Sequence, residues 1–189
     1  MPALLRPAVH EDKTAIHGLM VNVIKASVDL PYQEETIENV TQNVQVWLSD
    51  PAKCLHIVAH DGSEIIGVVL VKEFWNLCSL FVAQEYQHRG IGRALVQAAI
   101  EGCRFKSPKQ AISLNSSPQA FRFYRSLGFV PRESSQPLPP GFRPMRLPLS
   151  ESEAYPLAQA EHQRHGTLAD NADVECQQSA KLNDRNGNR

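Results

Sequence analysis

The chain reads Leu80-Phe-Val-Ala-Gln-Glu-Tyr-Gln-His-Arg-Gly-Ile-Gly-Arg-Ala-Leu-Val96 near its centre, and this stretch decides the fold. An apolar strand runs into a turn containing Gly90 and Gly92, and the turn opens directly into a helix that begins near Ile91. Glycine has no Cβ, so the turn can fold tightly and leave its backbone N–H groups unobstructed. Those groups add to the unpaired donors and the positive dipole end of the helix, an arrangement that binds phosphate oxygens. The stretch predicts a pyrophosphate-binding loop.

The side chains of the loop agree with this prediction and exclude two common phosphate motifs. Gln87, His88, Arg89 and Arg93 supply donors and positive charge around the turn. A P-loop needs a Lys-Ser/Thr pair after its last glycine, where this chain has Arg93 and alanine, and a Rossmann fingerprint needs a small residue where leucine stands. Neither motif is present.

Two segments resemble motifs of the GNAT N-acetyltransferase superfamily. Residues 87–92 read Gln-His-Arg-Gly-Ile-Gly, which is similar to the Gln/Arg-x-x-Gly-x-Gly/Ala signature of motif A, and a Leu-x-Val strand precedes them. Residues 112–129 resemble motif B: a strand, a polar turn, a helix with Tyr124, and then Leu-Gly-Phe. The resemblance covers residues 4–149 in outline and is specific over 80–129. It implies an acetyl-CoA-dependent N-acetyltransferase.

The resemblance also implies roles for particular residues. A backbone N–H at a bulge in the strand, at Phe81-Val82, would polarise the thioester carbonyl, and the same backbone would pair with the pantetheine arm. Tyr124 would protonate the departing thiolate; taken without the family, it is predicted to pack its ring on Phe121 and Phe123 with the hydroxyl at the surface. Asn115 would bond a pantetheine amide or cap the following turn. The residues expected to contact the coenzyme are Phe81, Val82, Gln87, His88, Arg89, Gly90, Ile91, Gly92, Arg93 and Asn115.

No general base can be assigned from the sequence. Many relatives carry a glutamate on the strand before the loop, but residues 76–82 contain no carboxylate. Glu73 lies just upstream of this strand and could act through water, and Asp29, Glu34 or Glu35 could project from the connection between the first two helices. Each is more often a solvated charge.

Composition predicts a soluble globular chain with one main domain. It has 189 residues, 42% of them hydrophobic, and a formal net charge of −1, so it lacks the broad charge of a nucleic-acid-binding or membrane-surface protein. There is no apolar run of membrane-spanning length. The four cysteines show no C-x-x-C spacing, which favours reduced thiols and a cytoplasmic location and argues against a metal site.

The pattern of apolar residues predicts an α/β (α+β-like) fold with a mixed, mostly antiparallel sheet flanked by helices. Residues 1–149 form the GNAT-type domain, and residues 150–189 are polar and predicted to be disordered. The predicted elements are a strand at 3–8, a helix ending before Pro31, a helix ending before Pro51, a hairpin of 55–60 and 64–72 joined by Asp61-Gly62, a strand at 76–83, a strand at 110–115, a helix at 118–127, and short strands at Phe129 and 142–149.

The acceptor is the least determined part of the prediction. A small-molecule amine and a peptide amine are both compatible with the sequence, and no nucleic-acid or membrane partner is expected. A non-catalytic module that binds acyl-CoA as a sensor is the alternative from a different class. A homodimer is possible because edge strands often pair.

Overall fold

A seven-stranded sheet organises the part of the chain that the computed structural model describes, namely residues 3–27, 30–134, 137–138 and 140–149. Its strands are β1 (Leu4–Pro7), β2 (Cys54–Asp61), β3 (Glu64–Lys72), β4 (Asn76–Val82), β5 (Ala111–Ser116), β6 (Val130–Pro131) and β7 (Arg143–Pro148). They lie in the order β1-β2-β3-β4-β5-β7-β6, and each neighbouring pair is antiparallel except β4 with β5. The predicted mostly antiparallel α/β fold is confirmed. The tail predicted at 150–189 lies outside the described residues.

Helices cover both faces of the sheet. They are α1 (Lys13–Ser27), α2 (Leu30–Leu48), α3 (Ile91–Cys103) and α4 (Phe121–Ser126). One core lies between the sheet and α1 with α2, and a second lies between the sheet and α3 with α4. Because β3 is buried on both sides, its sequence is apolar almost throughout instead of alternating. Among the described helices, none has the length and apolar character needed to cross a bilayer.

Several predicted boundaries differ from the structure. The short strand predicted at Phe129 begins one residue later, as β6 (Val130–Pro131), and two other differences have a local cause. The hairpin turn consists of Gly62 and Ser63, because Asp61 already pairs with Glu64, and Gly62 takes the positive φ of +60° that such tight turns require. Helix α4 starts at Phe121 instead of Pro118. The reason is that Ala120 N–H donates to Ser117 Oγ at 3.3 Å, which holds the preceding residues in a turn.

The parallel strands β4 and β5 separate almost at once. Their register contains a single pair, Asn76 with Ser113, close to the start of both strands. Farther along, β4 keeps its antiparallel pairing to β3 and β5 keeps its pairing to β7. The result is a cleft that widens between β4 and β5 toward the loop after β4.

The core under α1 and α2 contains a buried histidine without a protein partner. His56 on β2 is 7% exposed, and neither ring nitrogen has a hydrogen-bond partner among the described residues. Burial lowers the pKa of His56 to about 4 from the ordinary 6.5, and the nearby Asp12 carboxylate opposes that shift to a smaller extent. The folded chain therefore holds His56 neutral at neutral pH.

This burial predicts a loss of stability in mild acid. The unfolded chain takes up a proton at His56 near pH 6.5 and the folded chain does not until about pH 4, so stability falls as pH falls through that window. We expect wild type to lose about 1 kcal/mol more unfolding free energy between pH 7.5 and 5.5 than His56→Leu does. Urea unfolding of both proteins at the two pH values measures the difference, and equal losses would contradict the prediction.

Candidate functional site

The loop between β4 and α3 has the backbone geometry of an anion site. Gly90 is the residue that caps α3, with φ +81° and ψ 3°, and its carbonyl accepts the first helical bond from Ala94 N–H at 3.0 Å. The N–H groups of Ile91, Gly92 and Arg93 precede that bond and so have no acceptor within the helix. They lie at the positive end of the helix dipole, as the sequence predicted.

Close packing fixes the start of α3 on the sheet. Gly67 of β3 lies under the helix, and a Cβ at this position would stand 3.0 Å from Leu95 Cδ1 and 3.2 Å from Ile91 Cγ2. The absence of a side chain at Gly67 lets the first two turns of α3 approach the sheet. Sequence reasoning missed this contact, because a glycine inside an apolar strand does not say which element packs on it.

The predicted polar residues of the loop occupy different environments. Gln87 is buried, and its side-chain amide donates to the Val82 carbonyl at 3.2 Å, which ties the loop to the end of β4. His88 takes a left-handed φ of +60° and is exposed, as is Arg89, whose guanidinium carbon lies 5.2 Å from the centre of the Tyr86 ring. These two side chains flank the turn on its solvent side.

Arg93 connects the loop to the neighbouring helix. Its guanidinium donates to Ser126 Oγ at 2.8 Å across the surface between α3 and α4. A phosphate bound by Arg93 would therefore share the guanidinium with Ser126. Sequence spacing could not identify Ser126 as a partner. The contact places one positive charge between the loop and the helix that carries Tyr124.

The backbone of β4 presents alternating N–H groups to the cleft. Ala83 N–H donates to the Ile66 carbonyl at 2.8 Å, so the amide of Phe81, two residues earlier, also faces β3. By the same alternation, the N–H groups of Leu80 and Val82 face the cleft. Of the predicted pair, only Val82 has an N–H that faces the cleft. The N–H of Leu80 faces it as well, whereas the Phe81 N–H faces β3.

The bulge expected in this strand is present but lies upstream of Phe81. The register to β3 shifts between Leu70 and Val71, which pair with Ser79 and Leu77 and leave Cys78 as the extra residue. A bulge reverses the alternation of faces that follows it. For this reason, the direction of the Phe81 N–H group could not be predicted by counting residues along the strand.

Tyr124 lies at the centre of the core under α3 and α4. Its side chain has no exposed surface, and its ring makes edge contacts with Phe123 at 5.1 Å and Phe129 at 5.5 Å between ring centres. The contact with Phe123 agrees with the packing that the sequence suggested, and Phe129 is a further partner. The hydroxyl expected at the surface is buried with the rest of the side chain. Phe121 lies under the Arg143 guanidinium, at 4.6 Å.

Asn115 stands on the opposite side of the cleft from β4. It is buried, belongs to the last part of β5 and pairs with Pro144 of β7. Continuing the Asn76–Ser113 register by two residues places Asn115 level with the bulge in β4. Asn115 therefore borders the cleft, and its role toward pantetheine or as a cap of the following turn stays a prediction.

Of the carboxylates considered as bases, Glu73 lies at the far end of β4 from the loop. It is in the turn before that strand and accepts a bond from Trp75 Nε1 at 2.8 Å. Glu34 and Glu35 are exposed on α2. Asp29 is not among the described residues.

In the part of the chain that the structure describes, neither the cysteines nor the possible metal ligands indicate further chemistry. Burial raises the pKa of Cys54 to about 11 and that of Cys103 to about 12, so both thiols are protonated at neutral pH. Within the described ranges, no three His, Cys, Asp or Glu side chains gather as a metal site would require.

A protein-family model described as an acetyltransferase (GNAT) domain matches residues 28–138, more than half of the chain. Many solved structures share the fold. One is a PaiA N-acetyltransferase from Thermoplasma acidophilum in complex with coenzyme A, with a TM-score of 0.65 and 21% identity over 78% of this chain and 99% of that one.

Two further similar structures carry different descriptions. YncA from Salmonella typhimurium, a putative acetyltransferase with its cofactor acetyl-CoA, has a TM-score of 0.60 and 18% identity over 82% of this chain and 98% of its own. The ribosomal-protein-S18-alanine N-acetyltransferase from Escherichia coli has a TM-score of 0.57 and 17% identity over 82% of this chain and 98% of its own. At these identities, the likeness establishes the fold alone.

Proposed function

The chain belongs to the GNAT acetyltransferase family, and we propose that it transfers the acetyl group of acetyl-CoA to the nitrogen of a primary amine. One observation carries this proposal: the cleft between β4 and β5 leads directly to the loop of N–H donors that opens α3. A linear pantetheine arm fits the cleft while its pyrophosphate meets the loop. Acetyl-CoA is the co-substrate.

The loop binds the pyrophosphate through its backbone. The amides of Ile91, Gly92 and Arg93 donate to the phosphate oxygens at the positive end of α3. Arg89 and Arg93 add charge-assisted contacts on the solvent side, and His88 adds a further donor. Gln87 holds the loop in place through its bond to the Val82 carbonyl.

The open edge of β4 orients the thioester. An extended pantetheine chain pairs with the Leu80 and Val82 backbone groups as an added strand would, while Asn115 borders it from β5. A backbone N–H that points at the thioester carbonyl stabilises the negative charge that develops when the amine attacks. A fixed donor in a cleft without water is worth more than the same donor in solvent.

Tyr124 donates a proton to the leaving thiolate. When the amine nitrogen bonds to the carbonyl carbon, the carbon–sulfur bond breaks and the thiolate departs with the electron pair. A thiol has an ordinary pKa of about 8.5 and a tyrosine one of about 10, so a phenol within hydrogen-bond distance can supply the proton. The burial of Tyr124 keeps bulk water from this position.

The test is thiol release from acetyl-CoA against a panel of amino acids, polyamines, aminoglycosides and short peptides with free amino groups. We expect release that depends on one class of amine, with mass spectrometry showing the acetylated nitrogen. Binding of acetyl-CoA without release on any amine would favour the sensor. Absence of binding would contradict the assignment of the loop.

A further inference from the structure

Part of one face of the sheet has no helix packed on it within the described residues. The core under α1 and α2 takes its strand residues from β2, β3 and β4 and none from β5, β6 or β7. The core under α3 and α4, by contrast, includes Ile112 and Leu114 of β5 and Met145 of β7. The side of β5, β7 and β6 that points away from α3 and α4 is therefore uncovered.

Strand register identifies the residues on this uncovered side. Met145 belongs to the core under α3 and α4, so Arg146, one residue later in β7, points to the other side of the sheet. Ser113 of β5 and Val130 of β6 pair directly with Arg146 and share its side. Arg132 follows Val130 by two residues and continues the ladder, because its N–H donates to the Pro144 carbonyl at 2.9 Å. We call this surface the open face; it consists of Ser113, Val130, Arg132, Pro144 and Arg146.

The open face is exposed and positively charged. Val130 is 53% exposed, and Arg132 and Arg146 are exposed as well. The Arg146 guanidinium donates to the Lys109 carbonyl at 3.4 Å, and Arg132 lies close enough to Lys109 to act on it electrostatically. These contacts place Lys109, which is also exposed, at the edge of the open face.

No carboxylate among the described residues forms an ion pair with these three cations. The Lys109 ammonium lies 3.0 Å from the centre of the Trp75 ring. Glu73, which acts on Lys109 electrostatically, accepts a bond from Trp75 Nε1 at 2.8 Å. Arg132 donates to the backbone carbonyl of Glu133 at 3.0 Å. A surface with unneutralised cations attracts an acidic segment.

The stretch of chain that follows β7 is acidic and starts beside these cations. Leu149 N–H donates to the Gln110 carbonyl at 2.9 Å, so the described residues end next to Lys109. Residues 150–163 contain three carboxylates and no lysine or arginine. Two of those carboxylates, Glu151 and Glu153, come within four residues of Leu149.

These two carboxylates are near enough to reach the open face. A chain advances by at most about 3.5 Å per residue, so the Cα atoms of Glu151 and Glu153 lie within about 7 and 14 Å of that of Leu149. Arg146 stands about 10 Å from Leu149 along β7. One exposed ion pair is weak, but a short tether gives an effective concentration in the millimolar range, so a few weak pairs are sufficient for docking.

A second copy of the chain suits the open face less well. Two identical surfaces that meet in a symmetric dimer would bring the same cations together. Like charges in contact weaken association. The chain's own tail brings the opposite charge, and its Tyr155 and Leu157 bring apolar surface for the exposed Val130.

We propose that residues 150–157 dock on the open face, with Glu151 and Glu153 against Lys109, Arg132 and Arg146. The docked segment covers the exposed side of β7 and β6 and lies next to β5, which forms one wall of the cleft. The docking concerns the start of the tail, and disorder stays the prediction for the rest of it. It does not depend on acetyl transfer.

Carbodiimide coupling of the full chain tests the docking, because this reagent joins a carboxylate directly to an amine that contacts it. Mass spectrometry of the digested protein should show Lys109 joined to Glu151 or Glu153. The ion pair of Lys53 with Asp50, at 2.9 Å, provides a positive control in the same digest.

Charge variants separate docking from chance contact of a tethered segment. Arg132→Gln combined with Arg146→Gln should lower the yield of the Lys109 link by about fivefold or more, which is within the range for two exposed ion pairs. Arg122→Gln combined with Arg125→Gln removes the same charge from exposed positions of α4, on the other side of the sheet. This control should keep the yield within about twofold of wild type.

Three results would overturn the docking: Lys109 joined to Glu73 alone, an equal yield in the two double variants, or links between labelled and unlabelled chains in an isotope mixture. The last result would assign the contact to a second copy. Amide hydrogen exchange detects the docking without a chemical link, and residues 150–157 should exchange more slowly in wild type than in Glu151→Gln combined with Glu153→Gln. Equal exchange would also contradict the docking. Thiol release tests the acetyl transfer separately, so failure of one proposal leaves the other standing.

Discussion

Replacing Tyr124 by phenylalanine should lower the rate of acetyl transfer by about 100-fold. Phenylalanine keeps the ring and hence the edge contacts with Phe123 and Phe129, so the change removes a hydroxyl and little else. Because Tyr124 protonates the thiolate in the proposed mechanism, the loss should fall on the breaking of the carbon–sulfur bond. Single-turnover kinetics, with acetyl-CoA affinity and melting temperature measured in parallel, check the prediction.

The acidity of the departing thiol provides the control. A thiolate whose conjugate acid has a pKa well below that of coenzyme A leaves without a proton, so acetyl thioesters of more acidic thiols should lose less rate in Tyr124→Phe. An equal loss with every thioester would show that Tyr124 orients the donor and does not act as an acid. A rate unchanged from wild type would remove Tyr124 from the mechanism.

Local sequence was enough to predict those parts of the candidate site that are formed by residues close together in the chain. The loop from Gln87 to Gly92 and the start of α3 at Ile91 follow from glycine placement and helix-end chemistry, and the structure has the helix beginning at that residue. The Gly62 hairpin follows from turn chemistry in the same way, apart from a shift of one residue. These features depend on neighbours in the chain, which is why a pattern can predict them.

Features that depend on strand register could not be predicted. The facing of Phe81 and Val82 depends on a bulge at Cys78, and an inserted residue leaves no mark in an apolar strand. The bond from Arg93 to Ser126 spans 33 residues and depends on how α3 and α4 pack.

Replacing Gly90 by valine should weaken acetyl-CoA binding by about 30-fold or more, which corresponds to about 2 kcal/mol. Gly90 has φ +81°, and a β-branched residue in that region is a strained outlier. No heavy atom lies within 4 Å of a Cβ built there, so backbone strain is the cause and a steric clash is not. The loop relieves the strain by leaving the left-handed region, and the amides of Ile91 and Gly92 then lose their common direction. Calorimetric titration with acetyl-CoA measures the change.

Gly62→Val is the matched control, because Gly62 also has a positive φ, of +60°, and open space around its missing Cβ. It lies in the hairpin turn between β2 and β3, away from the start of α3. Both variants should lose about 1–2 kcal/mol of unfolding free energy from the same strain, which urea unfolding measures. Equal weakening of coenzyme binding in the two variants would attribute the effect to general destabilisation. Weakening confined to Gly90→Val would mean that the backbone conformation of this one residue aligns the donors that hold the pyrophosphate.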